Sequence, residues 1–226
     1  MQYTIRGTVM QTVDVQLEQG ETIYTESGGM AWMSENVNME AGMKGGLMGG
    51  IKRKLAGESM FMVDYTCQAG QGLVTFCCEF PGNIIPMLLQ PGQSIICQKD
   101  AFMCAEKSVQ LEMHFRRKLG AGLFGGEGFI LQKLTGPGMA FIELSGEITE
   151  YELQAGQALR VDTGHLGMYE PSVNFDVVTV QGIKNILFGG EGLFLARVSG
   201  PGKVWLQSMP VSNLAAKIAS CLPKGS

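Results

Sequence analysis

Hydrophobic and polar residues alternate along short stretches of this chain, and glycine or proline breaks each stretch after a few residues. Val109, Leu111, Met113 and Phe115 alternate with Gln110, Glu112 and His114, and Val173, Phe175 and Val177 alternate with Asn174 and Asp176. A period of two sends successive side chains to opposite faces of a strand, so each run predicts a β-strand with one apolar face. Residues 94–97, 129–134 and 139–144 are rich in Val, Ile, Phe, Leu and Met and bounded by turn residues, which predicts three more strands around 109–115. Only the C-terminal segment has helical spacing. Leu214, Ile218 and Leu222 recur at intervals of four, Ser212 is the expected N-cap, and Pro223 and Gly225 are stop signals, so a helix is predicted at about 212–222.

The strand pattern repeats. Leu17-Glu18-Gln19-Gly20, Leu89-Gln90-Pro91-Gly92 and Leu153-Gln154-Ala155-Gly156 are variants of one phrase, each followed by Glu or Gln. Val37, Val109 and Val173 follow those glycines at the same interval. Then come Gly57-Glu58, Gly126-Glu127 and Gly190-Glu191, and the turns Gly70-Gln71-Gly72, Gly136-Pro137-Gly138 and Gly200-Pro201-Gly202. Gly156, Gly190 and Gly200 each lie 64 residues after Gly92, Gly126 and Gly136. A fixed period sets architecture before any local motif does. It predicts one β domain, 1–226, of three internal repeats at about 1–80, 81–146 and 147–210. The Gly-Pro-Gly triplets are expected to be structural turns, because Pro presets one dihedral and Gly accepts positive φ without a Cβ clash.

Composition narrows the class. The 226 residues are 45% hydrophobic, 17% charged and include 15 methionines, so a core is affordable but surface charge is scarce, and part of the apolar surface is expected to be shared between subunits. No run approaches the roughly 20 apolar residues that span a bilayer, and the N-terminus lacks a signal-peptide core, so a cytoplasmic location is expected. Cys67, Cys77, Cys78, Cys97, Cys104 and Cys221 show no C-x-x-C spacing and are expected to be reduced and packed as small hydrophobes.

Catalytic and cofactor chemistry has little support. His114 and His165 fall in different repeats, and no nucleophile elbow, Walker loop or zinc-protease motif is present. His165 follows Asp162-Thr163-Gly164 and would gain from a carboxylate partner. Gly125-Gly126-Glu127-Gly128 resembles a phosphate loop, but the residues after it read as strand, whereas such a loop needs a helix N-terminus. Glu58, Glu127 and Glu191 would hold a metal only if they converged; their expected role is in turns. No enzyme activity, cofactor or metal is expected.

The 7–17 opening, the triple Leu-x-x-Gly phrase, the paired Leu-Phe-Gly-Gly-Glu-Gly corners at 123–128 and 187–192 and the Gly-Pro-Gly turns together resemble the altered inheritance of mitochondria protein 24 family over nearly the whole chain. The resemblance implies an all-β fold of three tandem units like the tryptophan RNA-binding attenuation protein, each a short double-stranded β-helix or sandwich, followed by the C-terminal helix. It further implies nine units in a ring, hence a homotrimer, in which terminal strand edges join head to tail. It carries no catalytic residues.

A non-enzymatic binding or scaffold ring is therefore the expected function. A nucleic-acid-binding ring is the alternative by fold analogy, but net charge −4 and an isoelectric point near 5.3 oppose it. Repeat one departs from its siblings by about three extra residues. There Met43, Leu47, Met48 and Ile51 mingle with Lys44, Lys52, Arg53 and Lys54. Apolar groups beside cations suit an anionic membrane surface or a protein partner; the plainer reading is that the apolar groups pack inward and the cations are solvated.

Overall fold

The computed structural model describes residues 1–26, 29–43, 61–117, 128–180 and 193–221. Repeat one supplies β1 (Gln2–Arg6), β2 (Thr12–Glu18), β3 (Thr22–Glu26), β4 (Met30–Met33), β5 (Val37–Met43), β6 (Phe61–Cys67) and β7 (Gln71–Cys77). Repeat two supplies β8 (Gly82–Leu89), β9 (Ser94–Gln98), β10 (Phe102–Glu106), β11 (Gln110–Arg117), β12 (Phe129–Thr135) and β13 (Gly138–Ser145). Repeat three supplies β14 (Ile148–Leu153), β15 (Ala158–Asp162), β16 (Leu166–Tyr169), β17 (Asn174–Val180), β18 (Leu193–Ser199) and β19 (Gly202–Gln207), and α1 (Val211–Cys221) follows. The described residues are thus all-β apart from α1 and two single turns of 3-10 helix.

Each repeat splits six strands into two hydrogen-bonded triplets. The first triplets are β2-β7-β4, β8-β13-β10 and β14-β19-β16; the second are β5-β6-β3, β11-β12-β9 and β17-β18-β15. The second triplet of one repeat then joins the first triplet of the next. Strand β3 pairs antiparallel with β10, and β9 with β16, giving two six-stranded sheets that run across the repeat boundaries. The first triplet of repeat one gains β1 and makes a four-stranded sheet, while the last triplet of repeat three stands as a three-stranded sheet.

Compactness divides the chain differently from sequence repetition. Unit 1 comprises Met1–Gly92, Phe102–Gln110 and Gly136–Glu143; unit 2 comprises Gln93–Ala101, Leu111–Thr135 and Leu144–Ser226. In unit 1 the alternation of β2 turns Val13, Val15 and Leu17 inward, where they meet Val63 and Tyr65 of β6 and Val74 and Phe76 of β7 in one apolar cluster. Unit 2 has its own cluster, with Phe129 and Leu131 of β12, Leu166 and Tyr169 of β16, Val177 of β17 and Ala196 and Val198 of β18. Burial of such side chains, at about 25 cal/mol per Å² of apolar surface, is the main force holding each unit together.

The repeated phrases are corners. Gly20, Gly92 and Gly156 have φ of 84°, 78° and 86°, which turns the chain from the first triplet to the second. The Glu or Gln after the glycine has a local role: Glu21 Oε2 accepts from Glu18 N–H at 2.9 Å, and Gln157 Oε1 from Gln154 N–H at 2.8 Å. The second recurring turn contains the cis peptides Gly136-Pro137 and Gly200-Pro201, with φ of 136° at both Gly138 and Gly202. A Cβ on Gly138 would stand 2.6 Å from Ser108 Oγ and 2.9 Å from Glu106 Oε2 and Val109 Cγ2, so backbone and space both require glycine. In repeat one, Gln71 stands in place of the proline, and a Cβ on Gly72 would meet Val37 Cγ2 at 2.6 Å.

Two expectations shift. Val109 and Val173 close turns, their N–H groups bonding Glu106 and Glu170 carbonyls, so β11 and β17 each start one residue later. Ser212 is not an N-cap: α1 starts at Val211, and Pro210 carbonyl takes the N–H groups of Asn213 and Leu214. Pro210, which ends the preceding turn, has already set the start of the helix.

Candidate functional site

Met43, the first residue of the candidate partner-facing loop, closes β5 opposite Phe61. Lys44, Leu47, Met48, Ile51, Lys52, Arg53 and Lys54 lie outside the described residues, as do Glu58, Glu127 and Glu191. A second basic cluster, Arg116-Arg117-Lys118, is described as far as Arg117. Arg117 at the end of β11 donates to Val177 carbonyl at 3.4 Å and sits 5.9 Å from the centre of the Phe194 ring, so its cation is engaged within unit 2.

The nucleophiles and bases have structural positions. His165 Nδ1 lies 2.8 Å from Gln207 carbonyl, not from a carboxylate. Asp162 caps the 3-10 turn Thr163–His165 instead, accepting from Gly164 N–H at 3.0 Å. Burial, with Lys133 nearby, lowers the His114 pKa. All six cysteines are free; Cys67, Cys78, Cys97 and Cys104 are buried. Burial, reinforced by Glu143, pushes the Cys78 thiol up to about 12 and raises Cys104 well above its usual value. Thiols held protonated in this way are poor nucleophiles and poor metal ligands. Among the described residues no group of three or more His, Cys, Asp or Glu is placed to hold a metal ion. No helix among them is long and apolar enough to cross a membrane.

What the fold does present, among the described residues, is two end strands that lack a partner on the flank where their counterparts in the other repeats are paired. Among the described residues β4 is the end strand of the four-stranded sheet, paired only with β7. It carries Trp32, 52% exposed, in the middle of a four-residue strand. Among the described residues strand β15 is likewise the end strand of the three-stranded sheet, paired only with β18. Val161 is buried there while Ala158, Arg160 and Asp162 are exposed. An edge displays unpaired N–H and C=O groups, which recruit another strand. The counterparts of these two strands are paired in every other case: β10 and β16 correspond to β4, β3 and β9 to β15, and the pairs are β3 with β10 and β9 with β16. The chemistry available is therefore strand addition.

Sequence reasoning missed Trp32, Met33, Arg160 and Val161. The signal was present in the alignment of repeats, where Trp32 stands at the position of Cys104 and Met168, both 0% exposed. Nothing local marks the difference, because exposure follows from what a neighbouring strand does.

A family model for mitochondrial biogenesis AIM24 proteins matches residues 3–209. An uncharacterised protein of Streptococcus pyogenes serotype M6 is 28% identical over 235 residues, which span 100% of this chain and 93% of that relative. A crystal structure of a Streptococcus pyogenes protein matches with a TM-score of 0.78 at 25% identity and covers 98% of this chain and 99% of its own. The family match takes in all three repeats from β1 to the end of β19, and on that span the chain belongs to the mitochondrial biogenesis AIM24 family.

Proposed function

We propose that this protein is a non-enzymatic binding or scaffold protein that works as an assembly of its own copies, a trimeric ring joined head to tail. One observation carries the reading: each internal boundary between repeats is a paired β seam, and, among the described residues, the first and last repeats each offer the unpaired half of one more seam. Joining those halves between chains repeats a contact the molecule already makes twice, and a heterologous contact of this kind makes a ring when its rotation closes. The low share of charged residues, 17%, fits a chain that covers apolar surface with its own copies. Within the assembly, the apolar and basic residues of 43–54 are the part offered to a membrane surface or a protein partner. Their copies would act together, so weak single contacts would gain by avidity. Native mass spectrometry together with light scattering at micromolar concentration tests the reading. A mass three times 24.4 kDa is the expected result, and a monomer would refute it.

A further inference from the structure

The two internal seams share one register, and that register can be carried to the open edges. In unit 1, Tyr24 of β3 faces Ala105 of β10, with Ile23 facing Glu106. In unit 2, Ile96 of β9 faces Tyr169 of β16, and Cys97 faces Met168. Aligned on the Leu-x-x-Gly phrase, Tyr24, Ile96 and Arg160 are counterparts, and so are Thr25, Cys97 and Val161. Aligned on Val37, Val109 and Val173, Met33, Ala105 and Tyr169 are counterparts, and so are Trp32, Cys104 and Met168. The seams are thus the same pairing twice over.

We propose that β15 of one copy pairs antiparallel with β4 of a second copy, with Val161 opposite Trp32 and Arg160 opposite Met33, and that the contact buries the Trp32 indole. The proposal rests on the scaffold reading above and names its contact. Three observations support it besides topology. First, β4 already has the shape of a seam strand. Its pairing with β7 skips a residue between Met30 and Trp32, just as β10 skips between Phe102 and Cys104 and β16 between Leu166 and Met168. A bulge re-aims side chains and twists the strand, and here the same bulge recurs on the one strand of the three that lacks its partner.

Second, exposure marks what is missing. The central seam residues Tyr24, Cys104 and Ala105 are each 0% exposed, and Ile96, Met168 and Tyr169 are 3%, 0% and 1%. Trp32 at the same place is 52% exposed, while Ala31 and Arg160 are also exposed. An unpartnered tryptophan amid apolar neighbours is the kind of side chain that anchors interfaces. Third, the facing residues fit. The unit 2 seam pairs the small Cys97 with the larger Met168, and the proposed seam likewise pairs the β-branched Val161 with the broad face of Trp32. Arg160 lays its aliphatic stem along Met33 and keeps its guanidinium in water. A charge at this point of an edge strand also discourages indiscriminate pairing. The register makes a further backbone bond: Lys107 N–H reaches Thr22 carbonyl at 3.2 Å in unit 1, and the counterpart is Glu35 N–H to Ala158 carbonyl across the copies.

The experiment traps the register between copies. In a Cys221→Ser background, one tagged copy carries Trp32→Cys and a differently tagged copy carries Val161→Cys; mild oxidation is expected to link them, with the bridge mapped by peptide mass spectrometry. Arg160→Cys with Met33→Cys is expected to link as well and leaves the tryptophan in place. Trp32→Cys with Asp162→Cys, which faces the other side of β15, is expected to link poorly. A Trp205→Phe protein leaves Trp32 as the only indole, and its emission is expected to shift to the blue as the chain is concentrated. Trp32→Ala is expected to raise the dissociation constant about 30-fold. A monomer at micromolar concentration overturns this proposal and the scaffold reading together. An assembly that forms without either cross-link, or with unchanged Trp32 emission, overturns this proposal alone.

Discussion

Unit 1 and unit 2 each contain one complete seam, and they furnish it with different side chains. In unit 1 the tyrosine is on β3: Tyr24 faces Ala105, and its hydroxyl donates to Val109 carbonyl at 2.9 Å. In unit 2 the tyrosine is on the other strand: Tyr169 of β16 faces Ile96, and its buried hydroxyl has no hydrogen-bond partner among the described residues. The Thr25 hydroxyl bonds Met103 carbonyl in unit 1, whereas in unit 2 two buried glutamines bond backbone, Gln98 to Thr163 carbonyl at 2.8 Å and Gln207 to Gly164 carbonyl at 2.9 Å. The backbone devices, by contrast, are copied. Both seams have the bulge. Both have a cis Gly-Pro followed by glycine at φ 136°. Both have a carboxylate that caps the next strand, Glu106 to Met139 N–H at 2.7 Å and Glu170 to Lys203 N–H at 2.9 Å. The difference teaches that turns and bulges fix where a seam forms, and that the core on either side of it tolerates more than one filling.

The largest test of that view is at the copied devices. Gly138→Val in unit 1 and Gly202→Val in unit 2 each force a β-branched residue into positive φ against a carboxylate and a hydroxyl, at a cost of roughly 3 kcal/mol. Calorimetric melts of the two variants are expected to fall by amounts within about 1 kcal/mol of each other; a tolerated variant in either unit would break the equivalence. A second difference is expected in alkali. Unit 1 holds Cys78 and Cys104, whose pKa values burial raises above the usual 9.0. Such a thiol stays protonated in the fold, so stability is whole below pH 9 and is lost as pH rises toward the folded value, about 12 for Cys78. Going from pH 8 to pH 10 is expected to cost up to about 1.4 kcal/mol at Cys78 and to lower stability further at Cys104, and urea midpoints of a Cys78→Ala/Cys104→Ala protein would show the smaller loss. In unit 2 burial raises the Tyr169 hydroxyl pKa, but a tyrosine releases its proton from the unfolded chain only near pH 10 and above.

The tyrosines themselves sharpen the contrast. Tyr24→Phe leaves Val109 carbonyl short of a donor and is expected to cost about 1 kcal/mol. Tyr169→Phe removes a hydroxyl without a partner and is expected to leave the melting temperature unchanged or slightly raised. Equal losses would mean that the two seams are not furnished differently after all. The smallest effect belongs to β1, which only unit 1 possesses. Arg6 and Asp14 form a 2.8 Å pair there, and the guanidinium holds the Asp14 carboxyl below its usual range. The pair is near the surface, so Arg6→Met is expected to cost about 0.5 kcal/mol or less, and that loss should shrink in 1 M salt.

The sequence made the local half of this fold legible. Alternation at 109–115 located β11 to within two residues, because one face turned inward leaves a period of two, and the apolar run at 139–144, bounded by turn residues, located β13 to within one. The Leu-x-x-Gly and Gly-Pro-Gly phrases marked corners, because few residues accept those dihedrals. Which strands pair was not legible. Nothing near Tyr24 says that it lies beside Ala105, and a triplet that joins the next repeat has the same alternation as one that does not. For that reason nothing in the sequence singles out Trp32, and the site it marks becomes visible only with the sheet order. The basic residues Lys52, Arg53 and Lys54, which stood out by composition, lie outside the described residues.

Strand exchange across repeats also sets a timetable for synthesis. Unit 1 is not complete when its first 92 residues have been made; it waits for Phe102–Gln110 and then for Gly136–Glu143. A ribosome adding about 5–20 residues per second needs a few seconds to cover that interval. Once β10 is made and until β13 follows, β10 can reach β3 but lacks β13, and β9 has been made but β16 has not, so bare strand flanks face solvent or any neighbouring nascent chain. Slow translation between residues 92 and 143 would prolong that exposure, and polysomes, which hold several identical chains side by side, are where the wrong flanks would meet.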